Sequence, residues 1–93
     1  MIRSFGNKET KRLFNRKKVR KLPDDIQRRA KMKLNLIDAA SSLNDLSAPP
    51  GNRLEPLSGD RTGQWSIRIN RQWRICFEWH DGDAFSVEIV ETH

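Results

Sequence analysis

Tyrosine is missing from this 93-residue chain, cysteine occurs once and histidine twice. Each scarcity closes a door. The lone Cys76 excludes an intramolecular disulfide and suits a reducing compartment. His80 and His93 with that one thiol supply no metal-ligand spacing, so neither a metal nor a small-molecule cofactor is expected. No apolar run approaches the length of a membrane helix, and Met1-Ile2-Arg3-Ser4-Phe5 lacks the apolar stretch of a secretory signal. The expectation is a cytoplasmic protein without a membrane partner. Residues 1–93 make a single domain, so small that nearly every large apolar side chain must serve folding. Function falls to the polar residues left over.

Charge is what the chain has in abundance, with a formal net of +6, and it is unevenly spread. Residues 1–33 hold thirteen Lys or Arg against Glu9, Asp24 and Asp25, a net of +10; residues 34–93 hold five against nine, a net of −4. In that second part every cation is an arginine: Arg53, Arg61, Arg68, Arg71 and Arg74. Lysine offers a hydrated point charge, whereas the guanidinium fork suits bidentate phosphate contact. The first part attracts a polyanion and the second positions it, nucleic acid being favoured over membrane.

From Trp65 onward apolar residues alternate: Trp65, Ile67 and Ile69, then Trp73, Ile75, Phe77 and Trp79, then Phe85, Val87 and Ile89. A period of two predicts half-buried antiparallel strands. The aromatic rings share that parity with the isoleucines, so they belong to the core and are no platform for stacking bases. Asp81-Gly82 signals a hairpin turn, and the Gly-rich bend around Gly59 and Gly63 leads into the ribbon. Ile2–Phe5 reads as a short edge strand. Arg53–Leu57 reads as a strand that Pro56 confines to an edge or a bulge.

The first part reads as helical. Asn7 caps a helix to about Arg16, with Leu13 and Phe14 inward, and the charged run Arg16–Lys21 forms a loop. Asp24 as cap, Gln27 answering it and Leu22 as staple start a helix of about 24–42. Its stripe of Ile26, Ala30, Leu34, Ile37 and Ala40 lies on the sheet, while Arg28, Arg29, Lys31 and Lys33 meet solvent or phosphate. Residues 44–52, with Pro49-Pro50-Gly51, form a connector. Taken together these elements give an α+β fold with two N-terminal helices on one face of a twisted, mostly antiparallel sheet of four to five strands.

Arg74 leads the candidates for chemistry. It lies mid-strand on the face opposite Trp73 and Ile75, where a fixed cation can hold a phosphate and stabilise a pentacoordinate transition state; the alternative is a cross-strand salt bridge with Glu78 or Glu88. Arg68 shares that face, and Arg61 sits in the bend. Glu55 is a carboxylate base if its strand faces Arg74, and otherwise an exposed strand glutamate. His93 is either a proton shuttle, with Glu91 beside it, or mere tail. Cys76 points out beside Arg74 without an adjacent histidine, which argues against a nucleophile. His80 belongs to the surface.

The basic helix pair, the segments Asn52–Arg61 and Gln64–Asn70, the Trp73-Arg74-Ile75-Cys76-Phe77 strand and the terminal His93 resemble HigB-type toxins of the RelE/ParE superfamily, over nearly the whole chain. The resemblance implies a RelE-like fold and the toxin half of a bacterial type II toxin–antitoxin pair. Its implied activity is a metal-independent, ribosome-dependent endoribonuclease, an mRNA interferase that inhibits translation until a helix-turn-helix antitoxin of the HigA type neutralises it. Arg74 matches the family's catalytic arginine and His93 its terminal histidine. Two departures stand out: Glu55 replaces a histidine found in some relatives, and Glu91-Thr92-His93 replaces an Asp-Tyr-His ending.

The implied chemistry uses the message's own 2′-hydroxyl, with Glu55 or Glu91 as base, Arg74 as phosphate clamp and His93 as acid. Arg61, Arg68, Arg71, Lys17, Lys18, Arg28 and Arg29 would contact RNA. Strand parity puts Glu91 and His93 on the side of Phe85, Val87 and Ile89, away from Arg74, unless a bulge intervenes. The alternatives are a non-nucleolytic toxin of the ParE kind that binds a protein such as gyrase, and a harmless basic RNA-binding module.

Overall fold

The alternating second part forms an antiparallel meander of four strands in the order β1-β2-β3-β4: β1 Glu55–Pro56, β2 Gln64–Arg68, β3 Trp73–His80 and β4 Asp83–Glu91. The computed structural model describes residues 1–92, so His93 lies outside the described residues. Asp81 and Gly82 both take positive φ (51° and 83°), the geometry of the two-residue turn whose twist matches a β-hairpin. Pro56 sits in the two-residue edge strand, where its missing N–H costs no ladder bond.

Three helices precede the sheet: α1 Lys8–Phe14, α2 Asp24–Ala39 and α3 Leu43–Ser47. Asn7 caps α1 by accepting the Thr10 N–H at 2.9 Å. The stripe Ile26, Ala30, Leu34 and Ile37 is buried against Ile67, Ile69, Ile75, Phe77, Val87 and Ile89, with Trp65, Trp73 and Trp79 packed at the margin. At about 1.5–3 kcal/mol for each large apolar side chain, this one layer of helix on sheet supplies most of the folding drive. Among the described residues no helix is long and apolar enough to cross a membrane.

Five local expectations are corrected. Asp24 is the first helical residue rather than the cap; Pro23 stands at the cap, and the Gln27 amide donates to the carbonyls of Val19 and Leu22 at 2.7 and 2.9 Å. The second helix stops at Ala39 instead of 42, because Ser42 and Asp45 form a capping box that begins α3 inside the supposed connector. Lys33 is not on the solvent face: it is buried and donates to Asn52 Oδ1, while Asn52 Nδ2 donates to the Leu46 carbonyl at 3.0 Å. The thread through Asn52 ties α2 to the turn after α3.

The fourth correction concerns Phe85. Cys76 pairs with Glu88 but Glu78 pairs with Phe85, so β4 carries one extra residue there, and Ser86 takes a φ of 53° to absorb it. The bulge turns Phe85 away from the helices to meet the His80 ring at 5.6 Å, and puts the fully buried Ala84 in the core instead. It also breaks the expected edge strand. Ile2–Phe5 runs parallel to β4 but only bridges it, at Ile2–Ala84 and Phe5–Val87. Gly6 is needed for this approach, since a Cβ there would lie 3.0 Å from the Ser86 carbonyl and the Glu88 Cβ.

Candidate active site

With the helices on one side, β2 and β3 present Gln64, Ser66, Arg68, Arg74, Cys76 and Glu78 on the other. Register sets them in rows, Ser66 opposite Cys76 and Arg68 opposite Arg74, and Glu55 of β1 opposite Ser66. Arg74 therefore reaches across two strands. Its Nη1 donates to Glu55 Oε1 and, at 2.8 Å, to the buried Ser66 Oγ. The Arg74 side chain is 24% exposed and that of Glu55 50%, so the pair is open on the side a ligand would approach.

Beside it, Arg61 from the 3-10 turn Gly59–Arg61 folds back over the sheet. Its Nη1 donates to Glu88 Oε1 at 2.7 Å and to Gln64 Oε1 at 3.0 Å, which pins the bend instead of leaving it loose. The bond that Glu88 accepts holds the Arg61 guanidinium even more firmly charged than usual. Cys76 is buried between these groups, and burial pushes its thiol up despite the nearby Arg61 and Arg74. A neutral, buried thiol is no nucleophile.

The arginine face can thus offer one oriented cation, one half-exposed carboxylate in contact with it, and a second cation held alongside. A guanidinium carries five N–H donors, and Glu55 and Ser66 occupy only Nη1 of Arg74, leaving the rest of the fork for a phosphate. The partner of Arg74 is Glu55, not Glu78 or Glu88; Glu88 serves Arg61, and Glu78 faces the exposed His80 at 3.1 Å.

Other expected members lie elsewhere. Glu91 stands opposite Trp73, on the helix side, because the bulge at Ser86 precedes Val87 and leaves the parity of Val87–Glu91 unchanged. The bulge therefore does not bring Glu91 to Arg74. Thr92 donates its N–H to the Gln72 carbonyl at 2.6 Å, fixing the last described residue at the start of β3. Arg68 and Arg71 line a cleft at the β2–β3 turn together with Arg29. Lys17, Lys18 and Arg28 line another between α1 and α2, floored by Leu13, in the helical layer that covers the opposite face of the sheet. Sequence reading missed Ser66 as a partner of Arg74 and offered Glu88 to Arg74 where the structure gives it to Arg61; their parity with Arg74 and Cys76 was visible, but the register that joins them was not.

Comparison with known proteins gives a consistent neighbourhood. A family described as RelE-like toxin of type II toxin–antitoxin system HigB matches residues 3–93. Toxin HigB-1 of Vibrio cholerae is 44% identical over 70 residues, covering 75% of this chain and 74% of its own. Endoribonuclease HigB of Proteus vulgaris is 36% identical over 93 residues and the whole of both chains. Among solved structures, YafQ from E. coli superposes with a TM-score of 0.65 at 13% identity, covering 99% of this chain and 94% of that one. The YoeB–YefM complex from Staphylococcus aureus gives 0.61 at 19% identity, with 100% and 98% covered. The last two show a shared fold.

Proposed function

Because the chain belongs to the HigB-like family, RelE-like toxins of type II toxin–antitoxin systems, we propose that it is an endoribonuclease that cuts messenger RNA, inhibits translation and is neutralised by a cognate antitoxin. The observation that carries this reading is Arg74, projecting from the open face of the sheet with Glu55 against its guanidinium and Ser66 bracing it. Strand-borne groups hold their positions better than loop-borne ones, which is what phosphoryl chemistry needs.

In the reaction the 2′-hydroxyl of the message attacks the adjacent phosphorus. Glu55 takes the hydroxyl proton, the bond to the 5′-oxygen breaks, and an acid protonates that leaving oxygen. Products are a 2′,3′-cyclic phosphate and a 5′-hydroxyl. Arg74 stabilises the charge gathering on the equatorial oxygens; as phosphate arrives it competes with Glu55 for the guanidinium and frees the carboxylate to act as base. His93 fits the acid role by residue type, and Glu55 is the base this reading prefers, since it touches Arg74 while Glu91 stands opposite Trp73. The ribosome fits as the platform, since the basic helical layer and the arginine face look in opposite directions, one to ribosomal RNA and one to message. A HigA-type helix-turn-helix antitoxin fits as partner on family grounds.

Arg74→Ala is expected to lower cleavage of ribosome-bound message by about 10²–10³-fold. It should leave the melting temperature and antitoxin binding nearly unchanged. Glu55→Gln should also cost activity, since the amide cannot take up the 2′-hydroxyl proton. Mapping message ends in cells induced for each variant is the check. Normal cleavage by Arg74→Ala would overturn the reading, and a DNA-damage response without new message ends would point to a gyrase-binding toxin instead.

A further inference from the structure

Next to the Arg74 site, at the β2–β3 turn, opens a cleft of about 560 Å³ lined by Arg29, Arg53, Arg68 and Arg71 with Pro50 and Gly51. The four guanidiniums come from four segments: α2, the residue after the 3-10 turn Pro50–Asn52, the last residue of β2, and the turn itself. None of them forms an ion pair among the described residues. Gathering like charges without counter-charges is unfavourable unless a polyanion occupies the space. Arg53 adds a second cost, a left-handed backbone with φ 46°, which a residue with a Cβ adopts reluctantly. At Gly51 no atom lies within 4 Å of where a Cβ would be, so the wall is open to a ligand.

The cleft also has a direction. Arg68 stands directly opposite Arg74 in the β2–β3 register, so the two project from one face and the cleft continues the arginine site toward the rim. No aromatic side chain lines it, so a base entering would find no ring to stack on, and the guanidinium forks are left to phosphate. Its apolar lining is limited to Pro50 and the buried Ile69, and four guanidiniums surround these, a setting that favours an anion over the apolar face of a peptide helix. We propose that this cleft binds an internucleotide phosphate of the same RNA strand whose scissile phosphate lies at Arg74, adding affinity without reading sequence. This inference rests on the nuclease reading above and supplies it with a second, sequence-blind grip.

The test uses two 2′-O-methyl oligonucleotides, which lack the attacking hydroxyl: a trinucleotide and a nonamer. Binding is measured by fluorescence anisotropy over a salt series for the wild type, Arg53→Asn and Arg71→Ala. Asparagine tolerates the left-handed backbone, and Arg71 is exposed in a turn, so both variants should fold, as circular dichroism will verify. Each variant should weaken nonamer binding about fivefold or more at low salt and reduce the slope of log K against log salt by about 0.7, leaving the trinucleotide unaffected. Equal losses on both lengths, an unchanged nonamer, or no nonamer binding by the wild type would overturn the assignment. So would inorganic pyrophosphate binding more tightly than the nonamer, which would mark a small-anion site. Cleavage of ribosome-bound message by the wild type is scored separately, so loss of this inference leaves the nuclease reading standing, and the reverse.

Discussion

Thr10 shows how much one hydroxyl can hold. It is fully buried in α1, accepts the Ile89 N–H of β4 at 2.9 Å and donates to Asn7 Oδ1 at 2.6 Å, so a helix cap and a sheet edge share one atom. Thr10→Val keeps the shape and orphans the Ile89 N–H. The expected cost is about 1–3 kcal/mol in urea unfolding, with Thr10→Ser recovering most of it. Lys33 pays for its place differently: burial, then the nearby Arg29, push its ammonium pKa down. A depressed native pKa means that the unfolded chain binds the extra proton between that value and the ordinary lysine value of about 10.4. Stability contributed by this group therefore rises as pH climbs through that window and is absent below it. The difference in unfolding midpoint between wild type and Lys33→Met, followed from neutral to alkaline pH, should change in the wild type's favour. A pH-independent difference would contradict the burial argument.

Among the elements, α1 ends in a way that its sequence does not advertise. Arg16 takes φ 65°, its N–H reaching the Leu13 carbonyl at 3.0 Å and that of Lys17 the Arg12 carbonyl at 2.9 Å, the paired closure that usually recruits glycine. Arg16→Gly should raise stability by about 1 kcal/mol, seen as a melting temperature about 4–8 °C higher. The hairpin at Asp81-Gly82 was legible because two residues with φ above zero have few sequence solutions. The bulge at Ser86 was not, because serine is an unremarkable strand residue and the extra position shows only once β4 is laid against β3. The end of α2 was half legible: Ser42 and Asp45 are a capping signal, masked by an apolar stripe that runs on to Ala40.

At the scale of the molecule, one layer of helix on one sheet leaves two exposed surfaces of opposite orientation. The arginine face holds Arg74, Arg61 and Glu55, and the helical layer holds Lys17, Lys18, Arg28 and Lys31, the last with its ammonium 4.9 Å above the Phe14 ring. Charge reversal at Lys17 and Lys18, both exposed, should separate their tasks. The double variant Lys17→Glu, Lys18→Glu is expected to bind ribosomes at least about tenfold more weakly at physiological salt, with a shallower salt dependence. It should bind the uncleavable nonamer nearly as well as the wild type. Parallel loss in both assays would mean that a single RNA surface wraps the molecule.

Periodicity, charge distribution and turn residues were enough to settle the α+β class, the helix stripe on the sheet and the side from which Arg74 projects, and narrowed Pro56 to an edge or a bulge. These depend on neighbours a few residues apart, and local sterics act at that range. Contact between Glu55 and Arg74, the pairing of Arg61 with Glu88, the burial of Lys33 on Asn52 and the four-arginine cleft had to wait for the tertiary structure. Each joins residues from separate segments. Which carboxylate meets which guanidinium is fixed by strand register and one inserted residue in β4, quantities set by the packing of the whole sheet against its helices.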